Sequence, residues 1–302
     1  MKSQPLENLH IIGIRYLNDR KIDGERIPLD IYSASNAYQA AGVPFCYLEP
    51  DLPPGLATED TVENLGLLGG EIAGAVAFGR KKQRGILMTG GNCTHITGVI
   101  GGLQQAHGPA ARIGLVWFDA HGDFNTPRTT PSGMLGGMPV AVAAGLAYPN
   151  WREGSGIIAP LPTDRIIMVD VRNLDPAEAQ LIRATDITIA APAPGFPGDD
   201  LTSAVQALAE RVDMIYFHID SDILDQAYTP NHGTREPNGP DMDQVQAAIE
   251  TVMATGIVVA YAVVSVSGEG RGAEVSVAAG IELIRGGLRA WQKHGTAALS
   301  VE

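Results

Sequence analysis

The feature that most limits the fold is an alternation kept from end to end: short, uninterrupted apolar runs separated by longer amphipathic stretches. The runs are His10 to Ile14, Pro44 to Leu48, Gly85 to Met88, Ile113 to Phe118, Arg165 to Val169, Asp213 to His218 and Ile257 to Ser265. Their interiors are continuous in Val, Ile, Leu and aromatics, the pattern of strands covered on both faces of a parallel sheet. Between them the spacing predicts helices over Thr61 to Ala77, Thr94 to His107, Met138 to Ala147, Pro176 to Ala184, Asp200 to Val212, Asp241 to Thr255 and Ala273 to Lys293. Pro176 suits a first helical turn, and Gly256 follows the end of another helix. A strand-then-helix order of this kind specifies an α/β fold, a parallel sheet inside a three-layer αβα sandwich. No composition break, Ser/Gly linker or repeat divides residues 1–302, so one domain is expected, long enough to bury a core without disulfides.

Charge narrows the function classes. There are 34 acidic and 21 basic residues, a formal net charge of −13. Nucleic acids and anionic membrane surfaces require a basic patch, so neither is expected as a partner. No apolar run approaches the roughly 18 residues of a membrane span. The Met1 to Glu7 segment has no apolar core of a secretory leader. Two cysteines, Cys46 and Cys93, form no disulfide framework and suit a reducing, cytoplasmic setting. Cys46, within Val43-Pro44-Phe45-Cys46-Tyr47, reads as a core residue. An excess of carboxylates also raises the question of a cation.

Open parallel sheets bind ligands beyond the carboxyl ends of their strands. Three loops there carry chemistry. One reads Asp119-Ala120-His121-Gly122-Asp123 and a second Asp220-Ser221-Asp222-Ile223-Leu224-Asp225. Alternation puts ligand-type side chains on one side of each turn. Gathering like charges at one sheet edge without a counter-ion costs stability. Four carboxylates and an imidazole suit two hard or borderline divalent cations better than a structural zinc. The third loop, Thr89-Gly90-Gly91-Asn92-Cys93-Thr94-His95, lets backbone approach a ligand closely and offers Cys93 and His95 as donors.

Asp119-Ala120-His121-Gly122-Asp123, followed by Phe124-Asn125-Thr126-Pro127 and Ser132-Gly133, closely resembles the arginases of the ureohydrolase superfamily, which also holds agmatinase, formimidoylglutamase and guanidino-acid hydrolases. The resemblance runs from about Gly85 to Ser265; the preceding 80 residues match only in their βα pattern. It implies an eight-stranded, mainly parallel sheet and a binuclear Mn²⁺ site, with Fe²⁺, Co²⁺ or Ni²⁺ as alternatives. It also implies hydrolysis of a guanidine or formimino C–N bond in a small amino-acid-like substrate, and a homo-oligomer, trimer or hexamer.

Carried over residue by residue, the resemblance puts Asp119, His121, Asp123, Asp220 and Asp222 on five of six metal-ligand positions. Cys93 stands where the family has a His. Cys93 as ligand, a position without metal contact, and His95 as substitute all remain open. Asn125 and Ser132 match positions that hold a substrate α-carboxylate, and Asp175 one that holds an α-ammonium; a turn and a helix N-cap are the plain alternatives. Asp123 is the position implied to take a proton from the attacking water.

Two positions depart from the pattern. The family's proton-shuttling His falls at Gly136, and the Glu that pairs with a guanidinium falls at Ser265, with Glu269 close by as a replacement. An unpaired buried cation is costly, so a neutral or less basic group is the better fit, such as an N-hydroxyguanidine, a ureido or a formimino group. His232, in the loop after the second acid pair, is a candidate acid for the leaving nitrogen, with Thr234 beside it. His218 reads as a packed core residue. The competing functional readings are ordinary arginase, agmatinase or formimidoylglutamase activity, a catalytically inactive member with a binding role, and a metal-dependent deacetylase.

Overall fold

In the computed structural model, residues 3–299 are described; part of the Met1 to Glu7 segment lies outside them. Eight strands form one sheet: β1 (Leu9–Ile14), β2 (Phe45–Leu48), β3 (Gly85–Gly90), β4 (Ile113–Phe118), β5 (Ile166–Val169), β6 (Thr188–Ala190), β7 (Met214–Asp220) and β8 (Val258–Val264). Their order is β2-β1-β3-β8-β7-β4-β5-β6, and every pairing is parallel. Strands β1, β3, β4, β7 and β8 are buried along their whole length, as continuous apolar runs require. Helices cover both faces: α1 (Thr61–Lys81), α2 (Ile96–His107), α3 (Pro176–Arg183), α4 (Leu201–Ala209), α5 (Met242–Met253) and α6 (Ala273–His294). Among the described residues, no helix is long and apolar enough to cross a membrane.

Three sequence expectations are corrected. Strand β6 was missed because three residues at a sheet edge carry too little apolar pattern. The helix expected over Met138 to Ala147 ends at Ala143, where Gly145 turns left-handed at φ +81°. A separate short helix, Pro149–Gly154, then brings Trp151 into the core, its Nε1 donating to Thr97 Oγ1 at 3.1 Å. Finally, Cys46 is only half-buried on the edge strand, its Sγ near His10 Nδ1 and Arg84 Nη1.

Helices α1 and α2 approach closely through small residues. A Cβ on Gly102 would stand 2.5 Å from the Ala73 carbonyl oxygen and equally close to Val76. Gly102→Ala is therefore expected to destabilise the protein by about 1–3 kcal/mol despite alanine's better helix propensity. A lowered urea midpoint at unchanged slope checks this.

The parallel arrangement puts every strand's carboxyl end on one edge. The loops leaving β3, β4, β5, β7 and β8 all open there into a cavity of about 640 Å³.

Candidate metal centre

Carboxylates and their partners line the cavity floor. Asp119, Asp123, Asp220 and Asp222 are all buried. Three overlapping sets bring ligand atoms within 4.8 Å of one another: Cys93 with Asp119 and Asp220; Asp119 with His121 and Asp222; and Asp220 with Asp222 and His232. Asp123 lines the same cavity but joins none of these sets. Its backbone is left-handed at φ +47° where the chain turns away from β4.

Local backbone chemistry shapes each turn. Asp119 Oδ1 accepts the His121 N–H at 2.6 Å, and Asp220 Oδ1 accepts the Asp222 N–H at 3.0 Å. Asp222 Oδ1 accepts from Ala120 N–H, tying the two acid loops together. The His121 ring bridges them, with Nδ1 3.2 Å from both Asp119 and Asp222. Its Nε2 lies 3.1 Å from Glu236 Oε1, which also accepts from Asn173 Nδ2 at 2.9 Å. Sequence reasoning missed Glu236. A carboxylate behind a ligating histidine fixes the ring's tautomer and orientation, but nothing in its own neighbourhood of sequence marks it.

Electrostatics show how closely the acids crowd one another. Burial, then repulsion from neighbouring carboxylates, pushes Asp119 and Asp123 well above the usual carboxylate range, with the His121 ring opposing the shift of Asp123. Burial and the surrounding acids raise the Cys93 thiol likewise. Burial also lifts Asp222, but His121 and His232 outweigh it and hold that carboxyl at about 2. Burial lowers His232, yet Asp220 and Asp222 prevail and bring it up to about 9. A bound cation inverts this logic by stabilising every ionised oxygen at once. The buried oxygens, one imidazole and one thiol fit hard or borderline divalent cations, with Cys93 the softest donor.

Cys93 Sγ is 3.0 Å from Asp220 Oδ2 and 3.6 Å from Asp119 Oδ2, so it faces the cluster. His95 does not. Its Nε2 lies 2.9 Å from the Asn18 carbonyl oxygen and its Nδ1 is held by the Asn92 backbone, which removes it as a substitute ligand. Asn18 and Asn92 also pair through their amides, fastening the Tyr16–Lys21 hairpin to the Cys93 loop.

The remaining positions divide. Ser265 lines the cavity with a left-handed backbone, φ +63°, its N–H donating to the Gly91 carbonyl at 3.0 Å. Glu269 is exposed near Gly24, outside the cavity lining, and does not replace the missing carboxylate. Gly136 also lines the cavity, where a Cβ would meet Met134 at 3.8 Å and Asn92 Nδ2 at 4.0 Å, ordinary contacts. Asn125 Nδ2 donates to Asp175 Oδ2 at 2.9 Å, while Asn125 Oδ1 is buried with no partner among the described residues. Ser132 is exposed on the rim, its hydroxyl accepting from Met134 N–H. The Thr234 hydroxyl donates to Asp222 Oδ2 at 3.1 Å, so it supports the acid loop. His232 Nε2 stands 3.4 Å from Asp220 Oδ1, inside the cluster. His218 is fully buried as expected, but its Nε2 lies 3.5 Å from Cys93 Sγ, a contact sequence reasoning missed.

Comparison with known proteins agrees with this architecture. The arginase of Bacillus caldovelox is 29% identical over 201 residues, covering 64% of this chain and 65% of that protein. The N(omega)-hydroxy-L-arginine amidinohydrolase of Streptomyces lavendulae is 31% identical over 171 residues, covering 56% of this chain and 58% of that protein. Both alignments span less than two-thirds of those relatives. A crystal structure of Entamoeba histolytica arginase in complex with L-ornithine superposes with a TM-score of 0.80 at 21% identity, covering 94% of this chain and 99% of that one, which shows the shared fold. A family model described as the Arginase family matches residues 52–287, and the chain belongs to that family.

Proposed function

We propose that this chain is a binuclear-metal amidinohydrolase that cleaves a C–N bond of a guanidino-type amino acid, with an N-hydroxyguanidine the preferred reacting group. The observation that carries this reading is the gathering of buried Cys93, Asp119, Asp220 and Asp222 with half-buried His121 and His232, Asp123 lining the same cavity. Two divalent cations, Mn²⁺ first among them, would be held by Cys93, Asp119, His121, Asp123, Asp220 and Asp222 and would supply Lewis acidity and an activated water.

The chain's own groups do the rest. Asp123, at the cavity wall, takes up a proton from the attacking water. His232, half-buried beside Asp220, hands the leaving nitrogen its proton. Asp175, already paired with Asn125, receives the substrate ammonium. Ser132 at the rim faces the substrate carboxylate. Ser265 meets the reacting end with a neutral hydroxyl, which disfavours a fully charged guanidinium. The Streptomyces lavendulae relative, named for N(omega)-hydroxy-L-arginine, supports that preference.

A panel of L-arginine, N-hydroxy-L-arginine, agmatine and N-formimidoyl-glutamate, assayed for urea, hydroxyurea and formamide release, tests the reading. N-hydroxy-L-arginine is expected to exceed L-arginine by about tenfold or more in kcat/KM, a difference of ~1.4 kcal/mol. A faster reaction with L-arginine overturns the substrate preference. Less than one equivalent of metal after Mn²⁺ loading overturns the enzyme reading and favours an inactive binding subunit.

A further inference from the structure

Next to Cys93, three buried aromatic side chains meet, Trp117 and His218 stacked and Tyr216 edge-on to His218. His218 lies flat on Trp117, ring centroids 4.1 Å apart and planes 3° from parallel. The Tyr216 hydroxyl lies 2.9 Å from His218 Nδ1, and His218 Nε2 lies 3.5 Å from Cys93 Sγ. All of these groups are buried. Trp117 and His218 sit on neighbouring strands β4 and β7 in direct register, so the sheet itself sets the stack.

We infer that His218 is a positioning residue for Cys93, its tautomer set by Tyr216 so that Nε2–H donates a hydrogen bond to the sulfur. Among the described residues, Tyr216's hydroxyl has one hydrogen-bond partner, His218 Nδ1. With the ring proton on Nδ1 the hydroxyl oxygen would become the acceptor and its own buried hydrogen would be left without one, the costly arrangement. The hydroxyl therefore donates to Nδ1, and the neutral ring carries its proton on Nε2. The ring is fully buried, with Trp117 flat against its face. The direction along the chain is O–H to nitrogen, then N–H to sulfur.

The consequence follows from how outer groups tune a ligand. A hydrogen bond to a thiolate draws electron density off the sulfur and fixes the direction of its lone pairs. Cys93 is then held towards Asp119 and Asp220, with less freedom to rotate away. The inference rests on Cys93 ligating metal, as proposed above, and extends it to the residue that aims the ligand.

Cobalt(II) titrated into the metal-free full-length chain tests both ideas separately. The unsubstituted protein is expected to show a near-ultraviolet sulfur-to-cobalt charge-transfer band, and Cys93→Ser to lose it. His218→Phe keeps an aromatic ring against Trp117 but removes the donor. It is expected to move the band to longer wavelength and weaken Co²⁺ binding about 10–100-fold. Tyr216→Phe leaves the imidazole in place and frees its tautomer, so a smaller shift in the same direction is expected. This second variant decides the matter should His218→Phe fail to fold. A band unmoved in Tyr216→Phe and in any folded His218→Phe protein, whatever their stabilities, overturns the inference while leaving Cys93 a ligand. Absence of the band in the unsubstituted protein overturns the ligand assignment, and the inference with it.

Discussion

Asp220→Asn is expected to abolish both divalent-metal uptake and hydrolysis. The substitution preserves shape, and Asn Oδ1 can still accept the Asp222 N–H now bonded at 3.0 Å. It removes the carboxylate that faces both Cys93 at 3.0 Å and His232 at 3.4 Å, the point where two of the ligand sets meet. Outer groups alone typically change metal affinity 10–100-fold, so loss of this inner carboxylate is expected to exceed about 100-fold. Elemental analysis after Mn²⁺ loading and dialysis measures the uptake; an active, metal-replete variant would refute the assignment. A second readout has the opposite sign. Stripped of metal, the variant is expected to melt at a higher temperature than the unsubstituted chain, because Asp220 is among the like charges acting on buried Asp119 and Asp123. A binding-site residue whose neutralisation stabilises the empty protein is one kept for its ligand, at some cost to the fold.

The second large effect is structural. Arg172→Ala is expected to cost about 3–5 kcal/mol, read as a fall in the denaturant midpoint. The guanidinium pairs with buried Asp170 and donates to the carbonyl oxygens of Asp222, Ile223, Leu224, Glu236 and Pro237. It thus pins the loop that carries Asp222, His232 and Glu236. Truncation leaves the Asp170 carboxylate buried and unpaired, and several carbonyls without a donor. Arg172→Lys is expected to recover only part of the loss, since an ammonium cannot reproduce the forked geometry. A midpoint within experimental error of the unsubstituted protein would show the loop to be held by other means.

Much of this molecule could be read before its structure. Seven of the eight strands were visible because central parallel strands are apolar throughout, and a run such as Ile113–Phe118 has no other sensible home. The candidate ligand residues were visible because they sit at the ends of such strands and in the short loops after them, where Asp119, His121, Asp220 and Asp222 alternate. What stayed hidden depends on pairing across the chain. Glu236 looks like any loop acid until it is seen 3.1 Å from His121 Nε2. His218 has the neighbours of a core residue, and only the β4–β7 register shows that it backs Cys93. The competition between Cys93 and His95 was equally closed to sequence. His95 is turned from the cluster by the Asn18 carbonyl oxygen, which accepts from its Nε2–H in a hairpin far upstream. The truncated helix after Met138 failed for a local reason, Gly145 reversing the backbone hand.

The span of those contacts has a kinetic meaning. Cys93 meets Asp220 across 127 positions of chain, His121 meets Glu236 across 115, and Asn18 meets Asn92 across 74. None can form before long loops close, and parallel strands joined by helices close such loops slowly. The centre therefore exists only once distant parts of the chain have met, and no short fragment would contain it. A cation that binds only the finished centre draws folding towards completion by mass action. Metal supply during folding would then govern yield as well as activity.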